Sequence, residues 1–301
     1  MFFPYRLDLR LTGAPVLTLI IGVLCFLVFS IQLYGNQQFV WDVLHFCQAE
    51  LSAEVKPVLS TLILEGEISS CSQFFFDLEM TKTHLDDYVV NTFQRDALVS
   101  EVVRFREIVP GSITSEMWFD PKAPKLVNYF TSAISHADWQ HLAFNLVFFF
   151  AFSLAVEQTL GSLLYLLFSA ATCVVVALEY QYNLLGVGST LPLLGLSGLI
   201  SALMGFVLCV YPRSKAYVWC WLLVFVKTIR LPIFLLVPFY IALDIYGLSL
   251  NDEFDNISYE SHLSGFATGI VCAFLFLVYR FAAKRLTAAK NLSTSPDNIS
   301  L

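Results

Sequence analysis

The sequence predicts an all-α, polytopic membrane protein of six spanning helices, with a mostly helical, outward-facing insertion between the first and the second. Three observations carry this. Hydrophobic residues make up 57% of the chain and charged residues 14%, with a mean hydropathy of +0.69, whereas a soluble domain carries about a quarter charged residues. Six apolar stretches have the composition of membrane spans. The basic residues outside the insertion all fall at one set of span ends, as the positive-inside bias requires.

Residues 1–35 form a short cytoplasmic lead and the first span, Ala14 to Leu33. The stretch lacks a small-residue cleavage pattern and reads as an uncleaved anchor. The insertion, 36–128, holds 14 Asp and Glu against 7 Lys and Arg, an excess equal to the net charge of −7 of the whole chain. Apolar residues recur at helical spacing from Phe39 to Leu64, with an interruption at Pro57, and Thr83 to Ile108 reads as further helix. His45 and His84 read as solvated or packing residues. Cys47 and Cys71 are the two cysteines of this segment. They form a disulfide if that side is oxidising or remain buried free thiols, and their spacing leaves both open.

The remaining spans are Leu142 to Leu160, Ser162 to Glu179, Leu196 to Val210, Leu231 to Tyr246 and Leu263 to Tyr279. The fourth is short, as befits a helix that starts below the membrane surface inside a protein-lined cavity. Ala216 to Val226 is too short for a span and reads as a buried or interfacial connector. Six spans put Arg6, Arg10, Arg213, Lys215, Lys227, Arg230, Arg280, Lys284, Arg285 and Lys290 on one side, so both termini are expected in the cytoplasm. Residues 287–301 are polar and read as a disordered tail. The acidic balance suits no nucleic acid, and without a CxxC or a His/Cys cluster no metal is implied.

The chemistry gathers at the outer ends of three spans. Gly195 to Gly205 opens the fourth, with Ser197, Ser201 and Gly205 at i, i+4 and i+8 on one small-residue face. Ser197 lies in the first turn, where unpaired N–H groups and the helix dipole favour an oxyanion. Taken alone, this run is most simply a packing face. His262 opens the sixth span, and Gly265 and Gly269 leave that face bare. Packing the two faces together brings Ser197 and His262 within reach as a nucleophile and its general base. His141 and Asn145, preceded by His136, are i and i+4 at the outer end of the second span and offer two donors to an oxyanion. Asp252, Glu253, Asp255 and Glu260 lie in an acidic loop that reads as solvated, so no acidic partner orients His262 and the expectation is a Ser–His dyad.

His136-xxxx-His141-xxx-Asn145, Gly195-x-Ser197-Gly198 and His262-xx-Gly265-xxx-Gly269 together resemble the rhomboid family of intramembrane serine proteases, over about Tyr129 to Arg280; Glu157 and Gly161 also match. The resemblance implies a six-helix rhomboid-like bundle, with a catalytic core over residues 129–286. It implies Ser197 as nucleophile, His262 as base, and His141, Asn145 and the Ser197 N–H as the oxyanion hole. Glu157 becomes a structural hydrogen-bonding residue, and His136, Gly195, Gly198, Gly265 and Gly269 a supporting set. The implied substrates are single-span membrane proteins cut near the outer surface of the bilayer, without cofactor, and the expected location is a bacterial inner (plasma) membrane. The rival reading is an inactive rhomboid-like protein that binds transmembrane clients. The chain departs from the family in three places: Val127-Asn128 stands where many members carry Trp-Arg, Ser201 where some carry a Tyr stacked on the His, and the insertion is long.

Overall fold

The computed structural model describes residues 2–9, 13–80, 85, 88, 91–182, 192–222, 225–250 and 257–293. The chain divides into two compact units, 1–22 with 143–189 and 195–301, and 23–142 with 190–194. Among the described residues five helices are long and apolar enough to cross a membrane: α1 (Val16–His45), α7 (Trp139–Leu160), α8 (Ser162–Tyr182), α10 (Ile233–Leu250) and α11 (Tyr259–Ser293). The fourth expected span is the short helix α9 (Ser197–Val210). Its 14 residues reach about 21 Å, less than the ~30 Å hydrocarbon core. Gly198 through Val207 are all buried, the signature of a helix enclosed by others rather than one facing lipid.

In the first unit α9 packs along α11 through glycines. A Cβ on Gly265 would lie 2.1 Å from the Gly198 carbonyl oxygen, and one on Gly269 would lie 1.9 Å from that of Ala202. Hydrogen at these two positions is what allows backbone to touch backbone. At the other end of the bundle Glu157 of α7 receives the first amides of α1: Leu17 N–H donates to Oε1 at 3.0 Å and Thr18 N–H to Oε2 at 2.8 Å. A carboxylate at a helix N-terminus pairs orphan donors and complements the dipole. Ser162 Oγ also donates to Glu157, at 2.9 Å, and Gly161 takes φ +77° to turn the chain from α7 into α8. Thr18, Ser153 and Tyr165, all buried, continue this network through hydroxyl contacts of 2.7 and 2.5 Å.

The stretch expected to be a buried or interfacial connector folds as a β-hairpin. Strands β2 (Lys215–Leu222) and β3 (Phe225–Pro232) pair antiparallel, with Tyr217 opposite Arg230, and β1 (Phe2–Leu7) adds to β2 with Phe3 opposite Trp219. The residues expected as a plain lead thus supply an edge strand. Ala216, Val218 and Cys220 are buried while Tyr217 and Trp219 point to the other face, the period-two pattern of a half-covered sheet. On that face Arg6 and Arg230 each lie over the Tyr217 ring, at 4.4 and 4.7 Å from its centre. The hairpin also moves the start of the next helix from Leu231 to Ile233. At the C-terminal end α11 continues to Ser293, past the 287 boundary of the expected tail. Ala288, Ala289 and Lys290 are strong helix formers that extend it; residues 294–301 lie outside the described set.

The second unit is built around a phenylalanine-rich core. After α1 the chain makes a π-helical turn, Phe46–Glu50, then forms α2 (Val55–Leu64), α3 (Cys71–Met80) and α4 (Thr92–Ile108). Phe46, Phe74, Phe75 and Phe105 interlock with Val43, Leu59, Leu62, Leu98 and Val102. Phe46 meets Phe75 and Phe105 edge to face, each at 5.1 Å. Pro57 does not interrupt this segment as expected: the break falls at 51–54, and Pro57 sits in the first turn of α2, where its missing N–H costs nothing. Asn91 and Gln94 form a capping box that starts α4, later than the expected Thr83, which with His84 lies outside the described residues. Cys47 and Cys71 are joined in a disulfide.

Short helices α5 (Ile113–Met117) and α6 (Asn128–Ile134) complete this unit. Asn128 anchors the start of α6. It is buried, and its Nδ2 donates to the backbone carbonyls of Glu116, at 3.1 Å, and Trp118. Buried Gln32 of α1 donates to Thr114 Oγ1 at 3.0 Å and accepts from the His136 N–H at 3.1 Å.

Candidate active site

Ser197 is the first residue of α9, and Gly195 makes that start possible. Its φ of +110° turns the chain sharply, and buried Leu196 then accepts the first helical bond, from Ile200 N–H at 3.0 Å. The Ser197 amide is one of the donors a helix N-terminus leaves unpaired, and the side chain is half-buried. On α11, His262 lies one turn before Gly265. Because Gly265 touches the Gly198 carbonyl, and a Cβ on Gly198 would lie 3.4 Å from the Ser261 carbonyl oxygen, the helix ends carrying Ser197 and His262 lie side by side. No hydrogen bond joins the two side chains among the described residues, an open geometry common in active sites without substrate.

The expectation that no acidic group orients His262 is corrected here. Asp244 of α10 reaches the ring: Oδ1 and Nδ1 are 3.0 Å apart, with both side chains largely shielded at 16% and 17% exposure. An ionised carboxylate oxygen can only accept, so this contact favours the tautomer with the proton on Nδ1 and the lone pair on Nε2. Tyr259, one turn earlier on α11, presents its ring edge-on to the imidazole at 6.3 Å and 84°. Asp252, Glu253 and Asp255 lie outside the described residues; Glu260 is buried in the first turn of α11 rather than solvated. The signal for Asp244 was in the sequence, since it is the single acidic residue of an otherwise apolar α10. An ionisable side chain in a spanning helix marks a functional position by default.

Asn145 of α7 is buried in the first unit, and its Nδ2 has no hydrogen-bond partner. A buried amide donor left unpaired costs about 1–3 kcal/mol. His136 and His141 belong to the second unit. Asp138 Oδ1 accepts from the His141 N–H at 2.8 Å and caps α7, and the His136 and His141 rings meet edge to face at 5.2 Å. His136 is fully buried with neither ring nitrogen paired. Its pKa is pushed down to about 3, by burial first and by the neighbouring His141 second, so the ring stays neutral. Ser201 is buried on α9 and, carrying no ring, stacks on nothing.

The family model of the rhomboid domain matches residues 123–279, more than half of the chain. No curated protein matches.

Proposed function

Because the chain belongs to the rhomboid family, we propose that it is an intramembrane serine endopeptidase that cuts single-span membrane proteins near the outer surface of the bilayer. The observation that carries this reading is the glycine-mediated backbone contact between α9 and α11, which sets a serine at one helix end beside a histidine at the other. Neither a packing face nor a lipid-facing helix requires that coincidence.

In this reading Ser197 Oγ attacks the scissile carbonyl while His262 Nε2 takes its proton, then returns it to the leaving amine. The acyl-enzyme so formed is hydrolysed by water that the same imidazole activates. The Ser197 N–H, Asn145 and His141 are assigned to the oxyanion on their motif positions, and the unpaired Asn145 amide supports this. Loss of one such donor typically costs about 10²–10³ in rate. A helical substrate amide is hydrogen-bonded and shielded, so the bound segment must unwind before attack. The disulfide supports an oxidising location for the insertion. With the basic residues at the opposite span ends, it supports cytoplasmic termini.

The test is labelling of the purified full-length protein with a fluorophosphonate serine probe. The native chain is expected to label, and Ser197→Ala and His262→Ala to remain blank. A folded native chain that fails to label overturns the protease reading in favour of an inactive, client-binding member of the family.

A further inference from the structure

We infer that Asp244 is a positioning residue that turns the expected Ser197–His262 dyad into an Asp–His–Ser triad supplied by three helices, α10, α11 and α9. The inference rests on the protease reading above and adds to it a group that neither the serine nor the histidine motif contains.

The contact is built from both sides. Asp244 and Gly247 are i and i+3 on one face of α10, and Tyr259 and His262 are i and i+3 on one face of α11. Asp244 takes His262, and Gly247 takes Tyr259. A Cβ on Gly247 would lie 2.3 Å from Tyr259 Cζ, with two further ring atoms at 2.6 and 2.7 Å, so the ring lies against bare backbone. Tyr259 in turn sets its edge against the imidazole. The His262 ring is therefore held by a hydrogen bond at Nδ1 and by an aromatic neighbour, both outside α9. These two contacts do what Ser201, which offers no ring from α9, cannot.

The chemical consequence follows from donor and acceptor rules. With a carboxylate at Nδ1 the proton is fixed there, and Nε2 is left as the basic atom of the ring. When Ser197 Oγ–H gives its proton to Nε2 and Oγ bonds to the carbonyl carbon, the imidazolium gains a negative neighbour 3.0 Å away. Asp244 itself takes no proton. An amide at this position can instead donate to Nδ1, which moves the ring proton to Nε2 and removes the base. A carboxylate placed here only to clasp α10 to α11 would not depend on that tautomer.

The experiment measures kinact and KI for a fluorophosphonate on the detergent-solubilised full chain, native, Asp244→Asn and Asp244→Glu. It adds 15N spectra of histidine-labelled protein, with the His262 signals identified by their loss in His262→Ala. We expect Asp244→Asn to lower kinact about 100-fold with KI unchanged; the corresponding change in a fully buried triad costs about 10⁴, and this carboxylate is partly reached by solvent. Asp244→Glu should recover part of the loss. The native spectrum should show His262 protonated at Nδ1, and the Asn variant should lose that pattern. Equal kinact in native and Asp244→Asn overturns the triad and leaves the protease reading intact. A slower variant with an unchanged His262 tautomer also overturns it, because Asp244 is then a clasp only. A native chain that does not label overturns both readings. If Asp244→Asn does not fold, a native His262 protonated at Nε2 is sufficient to reject the inference.

Discussion

The α2–α4 subdomain and the α9–α11 pair are both buried helical packings, yet they use opposite residues. The subdomain fills its interior with Phe46, Phe74, Phe75 and Phe105, ties Cys47 to Cys71, and fixes a helix start with a polar capping box. The α9–α11 contact is instead centred on small residues, since Gly198, Ala202, Gly265 and Gly269 bring backbone onto backbone, and a ring pair, Phe206 with Phe276, joins the two helices farther along. In water, apolar area removed from solvent drives assembly, so large residues are favoured. In lipid the surroundings are already apolar, and association depends on close approach and on polar groups paired across helices. A substitution that is mild in one region should be severe in the other.

The sharpest test is Gly269→Leu. The new Cβ alone meets the Ala202 carbonyl oxygen at 1.9 Å, and backbone cannot step aside as a flexible side chain can. The cost should exceed the roughly 1–3 kcal/mol usual for overpacking, with complete loss of Ser197 labelling. Retained labelling would break the comparison outright. Phe75→Ala tests the other region. It should destabilise the subdomain by about 3–5 kcal/mol through transfer and cavity costs, read as a lower melting temperature and faster proteolysis within residues 46–108. Replacing both Cys47 and Cys71 by Ser releases a closure of 24 residues and should cost about 3 kcal/mol, read by chemical denaturation.

Two smaller changes address the polar groups of each region. Glu157→Gln keeps an acceptor but loses the charge at the start of α1, and should lower stability by about 1 kcal/mol, again by denaturation. His136→Leu removes a buried ring whose two nitrogens have no hydrogen-bond partner, so at pH 7 stability should change little beyond the loss of its edge-to-face contact with His141. The difference appears on acidification. The native pKa of His136, about 3, lies below its ordinary 6.5. Between those values the unfolded chain binds a proton that the folded chain does not, and stability falls as pH falls through that window. Melting temperatures of native and His136→Leu between pH 7 and 4 should diverge in favour of the variant.

Much of this was legible in the sequence because it depends on short-range pattern. Hydropathy and length marked the spans, the four-residue spacing of Ser197, Ser201 and Gly205 marked a small-residue face, and Gly265 and Gly269 marked its partner. The hairpin was not read, although Ala216, Val218 and Cys220 alternate with Tyr217 and Trp219, because a run judged by mean hydropathy hides a period of two. Its third strand could not be read at all, since Phe2–Leu7 pairs with residues more than 200 positions away.

The sequence by itself determined that this is a membrane protein, which stretches are apolar enough to span the bilayer, and which serine and histidine to propose as a pair, since each of these depends on residue type and on spacing within one helix. The tertiary structure alone decided what lies against the histidine. Asp244 and His262 sit on different helices, 18 positions apart, and only the rotation of each about its own axis, set by Gly247 receiving Tyr259 and by Gly265 meeting Gly198, turns the carboxylate to the ring. Helical periodicity fixes which residues share a face, and packing chooses which faces meet.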